Sequence, residues 1–486
     1  MAEGIEPGAA RLDRRDFLRA SAALAAFQIL RGRAIGAPES PSAASSGDSV
    51  NLAAVGIGGI GRAQIPLCVG AGFRVTALCD IDDVYAAPMF EKYPGARRYR
   101  DFREMFDAEG DRIDAVYIGT PDHTHAIVAI EALKRKKHVL CVKPLTRTIE
   151  ESRVLVGAAR KAGVATQMTA APAWTDAGCR TCELVWGGAI GDVHEVHIWS
   201  DRPLWPQGME RPPGEDPVPR HFDWDQWLGP APKRPFRQKW PEGHYAIEQI
   251  VGTGGRNKKR PRGDDYIAGA VYHPWNFRGW FDFGTGALGD MGCHFFNTPR
   301  RALKLGHPDA VSATCSRLMG ESWPLASIVT WEYPARENMP PVRVTWYDGG
   351  LRPPRPPELE VGRALPKDGV MYVGDRGKML STGSGGVPCL IPESKMQAFI
   401  APPTTLERRS GIYGEWIEAI RGGPAASEHW PDCGGPLTEM VLLGNIAIRT
   451  GAYLKWDGPN MRFTNSEDAN GLLKATYQNG WALKGC

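Results

Sequence analysis

Four groups of residues in this 486-residue sequence have the types and spacing of reaction chemistry. Lys143 follows a short apolar run, Val139–Val142, and precedes Pro144. A lysine desolvated at such a strand exit can lower the pKa of a substrate hydroxyl or polarise its carbonyl. Asp290 and His294 stand four residues apart in GALGDMGCHFFNTPRRAL, so on a helix they share a face. A histidine titrating near neutrality suits removal of a hydroxyl proton as hydride leaves carbon, and a nearby carboxylate can orient its ring and stabilise the imidazolium. Gly56-Ile57-Gly58-Gly59-Ile60-Gly61 is a G-x-G-x-x-G loop between the strand-like run Val50–Val55 and the helical run Arg62–Val69. In that setting backbone N–H groups and the helix dipole meet a pyrophosphate. Asp80 lies 24 residues after Gly56, at the end of the next β-rich run. A carboxylate there bonds ribose hydroxyls and repels a 2′-phosphate, which favours NAD over NADP, although Arg62 nearby weighs slightly the other way.

The fourth group is aromatic. Residues 199–280 hold seven of the sixteen tryptophans, Trp199, Trp205, Trp224, Trp227, Trp240, Trp275 and Trp280, interleaved with Arg, Asp and His. Aromatic faces stack on the C–H faces of sugar rings while charged groups bond hydroxyls, so Trp205, Tyr272, Arg278 and Trp280 are the candidates for substrate binding. For any single tryptophan, burial of a long loop is the simpler explanation.

Each of these groups needs elements to hold it. Strand-like runs at Val50–Val55, Phe73–Cys79, Ala115–Gly119, Val139–Val142 and Val164–Met168 alternate with helical runs, the pattern of a doubly wound parallel sheet over residues 50–168. Thr120-Pro121-Asp122-His123-Thr124-His125 is the loop after the third strand. Residues 169–486 read as an α+β domain with a mostly antiparallel sheet, from strand-like runs at Val193–Ser200, Ala310–Leu318, Ser327–Tyr333, Val342–Tyr347 and Gly369–Val373. Residues 201–280 show little periodicity, and an aperiodic stretch that long in a compact domain is expected to be functional.

Composition excludes several classes. The formal charge of +3 is carried largely by residues 1–37, and the one basic cluster, Arg256–Arg262, reads as a solvated loop, so no nucleic-acid partner is expected. Asp290 and His294 have no third ligand at suitable spacing, and Cys179-x-x-Cys182 has no second pair, so no metal is expected. Asp13-Arg14-Arg15-Asp16-Phe17-Leu18-Arg19 resembles the twin-arginine export motif, ahead of an apolar stretch too short for a membrane anchor. Residues 1–37 are therefore expected to be an export signal to the periplasm or beyond, and 38–49 a disordered linker.

Gly56–Gly61, Thr120–His125, Val142-Lys143-Pro144 and the Asp290/His294 helix occur in an order that resembles the Gfo/Idh/MocA family (glucose–fructose oxidoreductase, inositol dehydrogenase, rhizopine catabolism). The segments YHPWNFRGWFDFGTGALGDMGCH and GPLTEMVLLGNIAIRTG look like an exported branch of it. The resemblance implies a Rossmann domain followed by an open-faced sheet domain, a dimer or tetramer formed through that sheet, and reversible hydride transfer at a carbon of a sugar, inositol or glycoside. By position it makes Lys143, Asp290 and His294 catalytic. It places Gly56, Gly58, Gly59, Ile60, Gly61, Asp80, Thr120, Pro121, His123 and Lys143 on the cofactor. One departure is visible: the residue before the lysine, usually Glu or Gln, is Val142, which leaves Lys143 without a carboxylate neighbour in the chain and open to a lowered pKa. An exported enzyme needs a tightly held, recycled cofactor. Glycoside cleavage through transient oxidation therefore stands as an alternative, and a sugar or dinucleotide sensor as a second one.

Overall fold

The computed structural model describes residues 49–247 and 270–483. The expected signal segment, all but the end of the linker, and the Arg256–Arg262 run lie outside the described residues. Six strands, β1 (Val50–Val55), β2 (Phe73–Cys79), β3 (Arg97–Tyr99), β4 (Ala115–Ile118), β5 (His138–Cys141) and β6 (Thr166–Met168), form a parallel sheet in the order β3-β2-β1-β4-β5-β6. The helices α1 (Ile60–Gly70), α2 (Asp83–Lys92), α3 (Phe102–Glu109), α4 (Asp122–Lys134) and α5 (Ile149–Ala162) connect them. Central strands of such a sheet are buried on both faces, so β1, β4 and β5 are apolar runs with no alternation. The order reverses between β1 and β4, which opens a crevice at their carboxyl ends. β3 escaped the sequence reading because Arg-Arg-Tyr on a sheet edge carries no apolar signal.

Capping residues fix the helix starts. Asp82 Oδ1 accepts from the N–H groups of Val84 and Tyr85 at 3.1 and 2.9 Å to begin α2. Thr148 and Glu151 form a reciprocal capping box at α5, which ends at Gly163 with φ +65°.

The second sheet has nine strands among the described residues, in the order β13-β12-β11-β7-β10-β9-β8-β14-β15. They are β7 (Val193–Trp199), β8 (Ala310–Cys315), β9 (Ser327–Tyr333), β10 (Val342–Tyr347), β11 (Gly369–Gly374), β12 (Gly377–Thr382), β13 (Cys389–Ile391), β14 (Leu454–Asp457) and β15 (Arg462–Phe463). Every pair is antiparallel except β7–β10. Helices α6 (Asp176–Trp186), α7 (Gly286–Ala302) and α8 (Gly435–Thr450) complete the domain. Alternation along β7, β9 and β10 turns Val196, Ile198, Val329, Trp331, Val344 and Trp346 into the main core. There Phe296 of α7 meets the Trp331 ring at 4.8 Å, and Trp331 Nε1 donates to the Met440 carbonyl of α8 at 3.0 Å. These contacts fix the rotation of α7, and with it the face that carries Asp290 and His294.

The opposite sheet face is less open than expected. Trp199, Tyr347, Met371, Leu380 and Ile391 close a small core there with Leu359 and Leu365, leaving Glu195, His197 and Arg343 on the polar remainder.

Between β7 and α7 the chain has little regular structure among the described residues: the short helix Trp224–Leu228, helical residues at 245–247 and a 3-10 turn at Asn276–Gly279. It holds its own aromatic core instead. Trp224 stacks on Trp227 at 4.9 Å, and Phe222, Phe236, Trp240, Tyr272, Trp280 and Phe283 pack around them. The segment is pinned to the Rossmann domain by His123, whose Nε2 lies 2.8 Å from the Trp227 carbonyl and Nδ1 3.2 Å from that of Phe283. Burial lowers its pKa to about 3 despite two carbonyls that favour the cation.

Because the unfolded state takes up a proton below about 6.5 and the folded state does not, this histidine's contribution to stability is full above pH 6.5 and is lost as pH falls toward 3. We expect a stability slope of about 1.4 kcal/mol per pH unit from His123 in that window. Urea midpoints measured from pH 4 to 8 should show a shallower fall in His123→Gln; an unchanged slope would rule this out.

Candidate active site

The glycine loop is built by sterics. Gly56 has φ +80°, and a Cβ on it would sit 2.5 Å from the Thr120 amide nitrogen, so only glycine lets the β1 and β4 loops touch. Gly61 likewise faces the Gly56 carbonyl, and the space beside Gly58 is filled by the Tyr85 ring. Gly59 is the N-cap of α1 and offers no side-chain cap to the free N–H groups of Ile60 and Gly61; no acidic residue stands in the first turn. Asp80 reaches back from the end of β2: its Oδ2 accepts from Ile57 and Gly58 N–H at 2.8 and 3.0 Å, and its Oδ1 from Asp82 N–H at 3.1 Å. Burial raises its pKa, with these N–H groups and His273 pulling the other way. Thr120 Oγ1 is buried with no hydrogen-bond partner among the described residues. An uncapped helix N-terminus, a carboxylate at the end of β2 and an orphaned hydroxyl against Gly56 suit a dinucleotide along this edge.

The reacting residues meet at the same carboxyl edge. Lys143, just past β5, places Nζ 2.7 Å from Asp290 Oδ1 and also donates to the Asp290 carbonyl. Arg278 Nε lies 2.7 Å from the same Oδ1. Burial alone would raise the Asp290 pKa; Lys143 and Arg278 outweigh it and hold the carboxyl well below the usual carboxylate range. Lys143 thus does have an anion, supplied by α7 where the usual Glu is replaced by Val142. The expectation that Lys143 lacks an anionic partner is corrected.

His294 lies one turn further along α7, half-buried, with no hydrogen bond to its ring among the described residues. Burial first, then the cations Lys143 and Arg202, lower its pKa to about 3, with Asp290 opposing. It is a neutral imidazole at physiological pH. Asp290 does not orient it, contrary to expectation, because the carboxylate is bonded to Lys143 and Arg278.

Other expected contacts fall elsewhere. His123 spends both ring nitrogens on backbone carbonyls of the aromatic segment, which removes it from the cofactor edge. Pro121 is the N-cap of α4, and its carbonyl takes the Thr124 N–H and hydroxyl at 3.0 Å each. Tyr272 and Trp280 are fully buried in the aromatic core, with Trp280 Nε1 bonded to the Val271 carbonyl, so neither faces a substrate. Trp205 is also buried, its Nε1 bonded to Gln207. Arg278 alone of the four substrate candidates reaches the catalytic cluster.

The structure adds residues that the sequence did not single out. Buried Asp122 accepts from Thr285 Oγ1 at 2.6 Å and ties α4 to the start of α7. His125 bridges the Pro144 and Thr120 carbonyls at 2.9 and 2.8 Å, which locks the Lys143 loop to the β4 loop. Both lie in the Thr120–His125 run, where composition flagged a loop without showing which side chains hold it together.

Residues 50–170 match the family described as "Oxidoreductase family, NAD-binding Rossmann fold" (GFO_IDH_MocA). An inositol 2-dehydrogenase of Rubrobacter xylanophilus is 36% identical over 121 residues, 23% of this chain and 33% of that protein. A 1,5-anhydro-D-fructose reductase of Ensifer adhaerens is 48% identical over 52 residues, 11% of this chain and 16% of that one. The chain thus matches about a third or less of the length of these curated relatives. Over the whole fold, the WlbA dehydrogenase of Bordetella pertussis, solved with NADH and UDP-GlcNAcA, aligns with TM-score 0.55 at 16% identity, over 84% of this chain and 99% of that one. Levoglucosan dehydrogenase, solved with NADH and levoglucosan, aligns with TM-score 0.52 at 16% identity, over 84% and 99%. At such identity these two likenesses speak to the fold. By sheet order, glycine loop and family match, residues 50–170 are an NAD-binding Rossmann domain of the Gfo/Idh/MocA oxidoreductase type.

Proposed function

We propose that this protein is an NAD-dependent dehydrogenase acting on a hydroxyl-bearing carbon of a sugar, cyclitol or glycoside. The observation that carries the reading is the Lys143–Asp290–Arg278 cluster, with the neutral His294 one helical turn away, at the carboxyl edge of a Rossmann sheet. Bound NAD supplies the hydride acceptor or donor. Gly56, Ile60, Gly61 and Thr120 line its expected path, and Asp80 Oδ1, which accepts the Asp82 N–H, keeps one lone pair for a ribose hydroxyl. Lys143 Nζ donates to the substrate oxygen and stabilises its developing negative charge, while Asp290, itself held by Arg278, fixes the ammonium in place. His294 Nδ1 or Nε2 accepts the hydroxyl proton; a neutral ring with no hydrogen bond among the described residues suits that role. The twin-arginine-like start of the chain supports export with the cofactor already bound and recycled in place.

The test is near-ultraviolet absorbance of the purified protein, undialysed, mixed with a panel of sugars, inositols and glycosides. A reduced-nicotinamide band that appears or vanishes with one compound is expected. No band, with or without added NAD, sinks the reading. A second outcome concerns cofactor choice. Asp80→Ser removes the charge that repels a 2′-phosphate, so we expect NAD affinity to fall by roughly tenfold and the NADP-to-NAD ratio of kcat/KM to rise. Parallel titrations with the two nucleotides measure it, and an unchanged ratio counts against Asp80 at the ribose.

A further inference from the structure

The geometry points to Trp275 as the residue that stacks on the ring of the substrate, so that the enzyme takes cyclic compounds with an apolar C–H face in preference to open-chain polyols. This rests on the dehydrogenase reading above. Of the seven tryptophans between residues 199 and 280, six are buried: Trp199, Trp205, Trp224, Trp227, Trp240 and Trp280. Trp275 is only half-buried and belongs to none of the apolar clusters. Its backbone has φ +72° and ψ −47°, and the Asn276 N–H donates to the Pro274 carbonyl at 2.8 Å. That is a γ-turn of the rare positive-φ kind, a conformation a bulky side chain adopts only where its surroundings enforce it.

The enforcement is visible. Asn276 Nδ2 anchors the turn to the Ala270 carbonyl at 2.6 Å, and the Trp275 carbonyl accepts from Arg278 Nη1 at 3.0 Å. The Arg278 guanidinium lies 4.3 Å from the Trp275 ring centroid, and the Trp205 ring meets it edge-on at 6.2 Å. Arg278 Nε in turn holds Asp290, which holds Lys143. Through these contacts the indole lies within roughly 8 Å of the Asp290 carboxylate, one guanidinium away from the reacting end. A strained turn thus holds a partly exposed indole against Arg278, the guanidinium that binds the Asp290 partner of Lys143. An indole face attracts the C–H face of a pyranose or cyclitol through dispersion and its quadrupole, whereas an open chain presents no such flat face.

The experiment uses the intact protein with Trp275→Phe and Trp275→Ala, first matched for thermal midpoint. Methyl α-D-glucopyranoside, cellobiose and myo-inositol are the cyclic probes, and sorbitol the open-chain one. We expect Trp275→Ala to raise KM for the best cyclic probe at least tenfold with kcat within threefold of the parent, Trp275→Phe to be intermediate, and any KM for sorbitol to stay put. Equal KM values in parent and variants, or an equal rise with sorbitol, would overturn the role of Trp275 and leave the dehydrogenase reading intact. Tryptophan emission separates the converse case. If no probe changes the nicotinamide band but a cyclic probe perturbs the emission of the parent and not of Trp275→Phe, the stacking role stands and the dehydrogenase reading falls. If neither signal moves, both fall.

Discussion

Lys143→Met is expected to lower turnover by about 10²–10³-fold, the usual cost of removing one donor aimed at a developing oxyanion, while cofactor retention and thermal midpoint stay close to the parent's. Methionine keeps the unbranched stem, and Asp290 retains its 2.7 Å bond to Arg278, so the cluster does not lose its anion's last partner. The substitution also carries a signature that a merely structural lysine would not. His294 is held at a pKa of about 3 by burial and then by the Lys143 charge. A base must be neutral to act, so the acid limb of kcat/KM in the parent should lie well below the 6.5 of a free imidazole. Removing the ammonium takes away one of the two cations that suppress protonation, so the residual activity of Lys143→Met should lose its acid arm at higher pH than the parent. Profiles of kcat/KM from pH 4 to 9 decide it. Near-normal turnover, or a parent limb already at 6.5, would remove Lys143 or His294 from the reaction.

How much of this was legible in the sequence follows from the range of the signals. The parallel sheet was legible because strands buried on both faces must be apolar runs, and the glycine loop because only glycine permits the contact of the β1 and β4 loops. The i, i+4 spacing put Asp290 and His294 on one face of α7 correctly, but spacing says nothing of which partner a carboxylate chooses. Asp290 turned to Lys143, 147 residues away, and to Arg278, because two nearby cations outweigh a neutral imidazole. Short edge strands such as Arg97–Tyr99 and Cys389–Ile391 were invisible, having too few residues for a period. The aromatic segment was legible as a whole, but not which of its rings are buried or what anchors it. His123, expected on the cofactor, clamps that segment, and Tyr272 and Trp280, expected on the substrate, form its core. Composition reveals that rings are present; only packing divides the buried ones from the half-buried Trp275.

Asp290→Asn should be the most damaging conservative change for stability. The side chains of Lys143, Asp290 and Arg278 are each no more than 15% exposed, so solvent screens the cluster little. Asparagine keeps the shape but leaves an ammonium and a guanidinium facing one neutral amide, and stranding charges in this way costs about 3–5 kcal/mol, toward the lower end beside an open cleft. The pH dependence has a definite sign. The folded carboxyl titrates below its unfolded value of about 3.9, so its contribution is complete above that value and is lost as pH falls further. The stability gap between parent and Asp290→Asn should therefore be flat from pH 5 to 8 and close below pH 4. Urea denaturation across that range reads it. In a Lys143→Met background the same substitution strands only Arg278 and should cost less, giving a coupling of about 1 kcal/mol or more in a double-mutant cycle. Additive losses would mean that Lys143 and Asp290 do not share the ion pair on which the proposed chemistry depends.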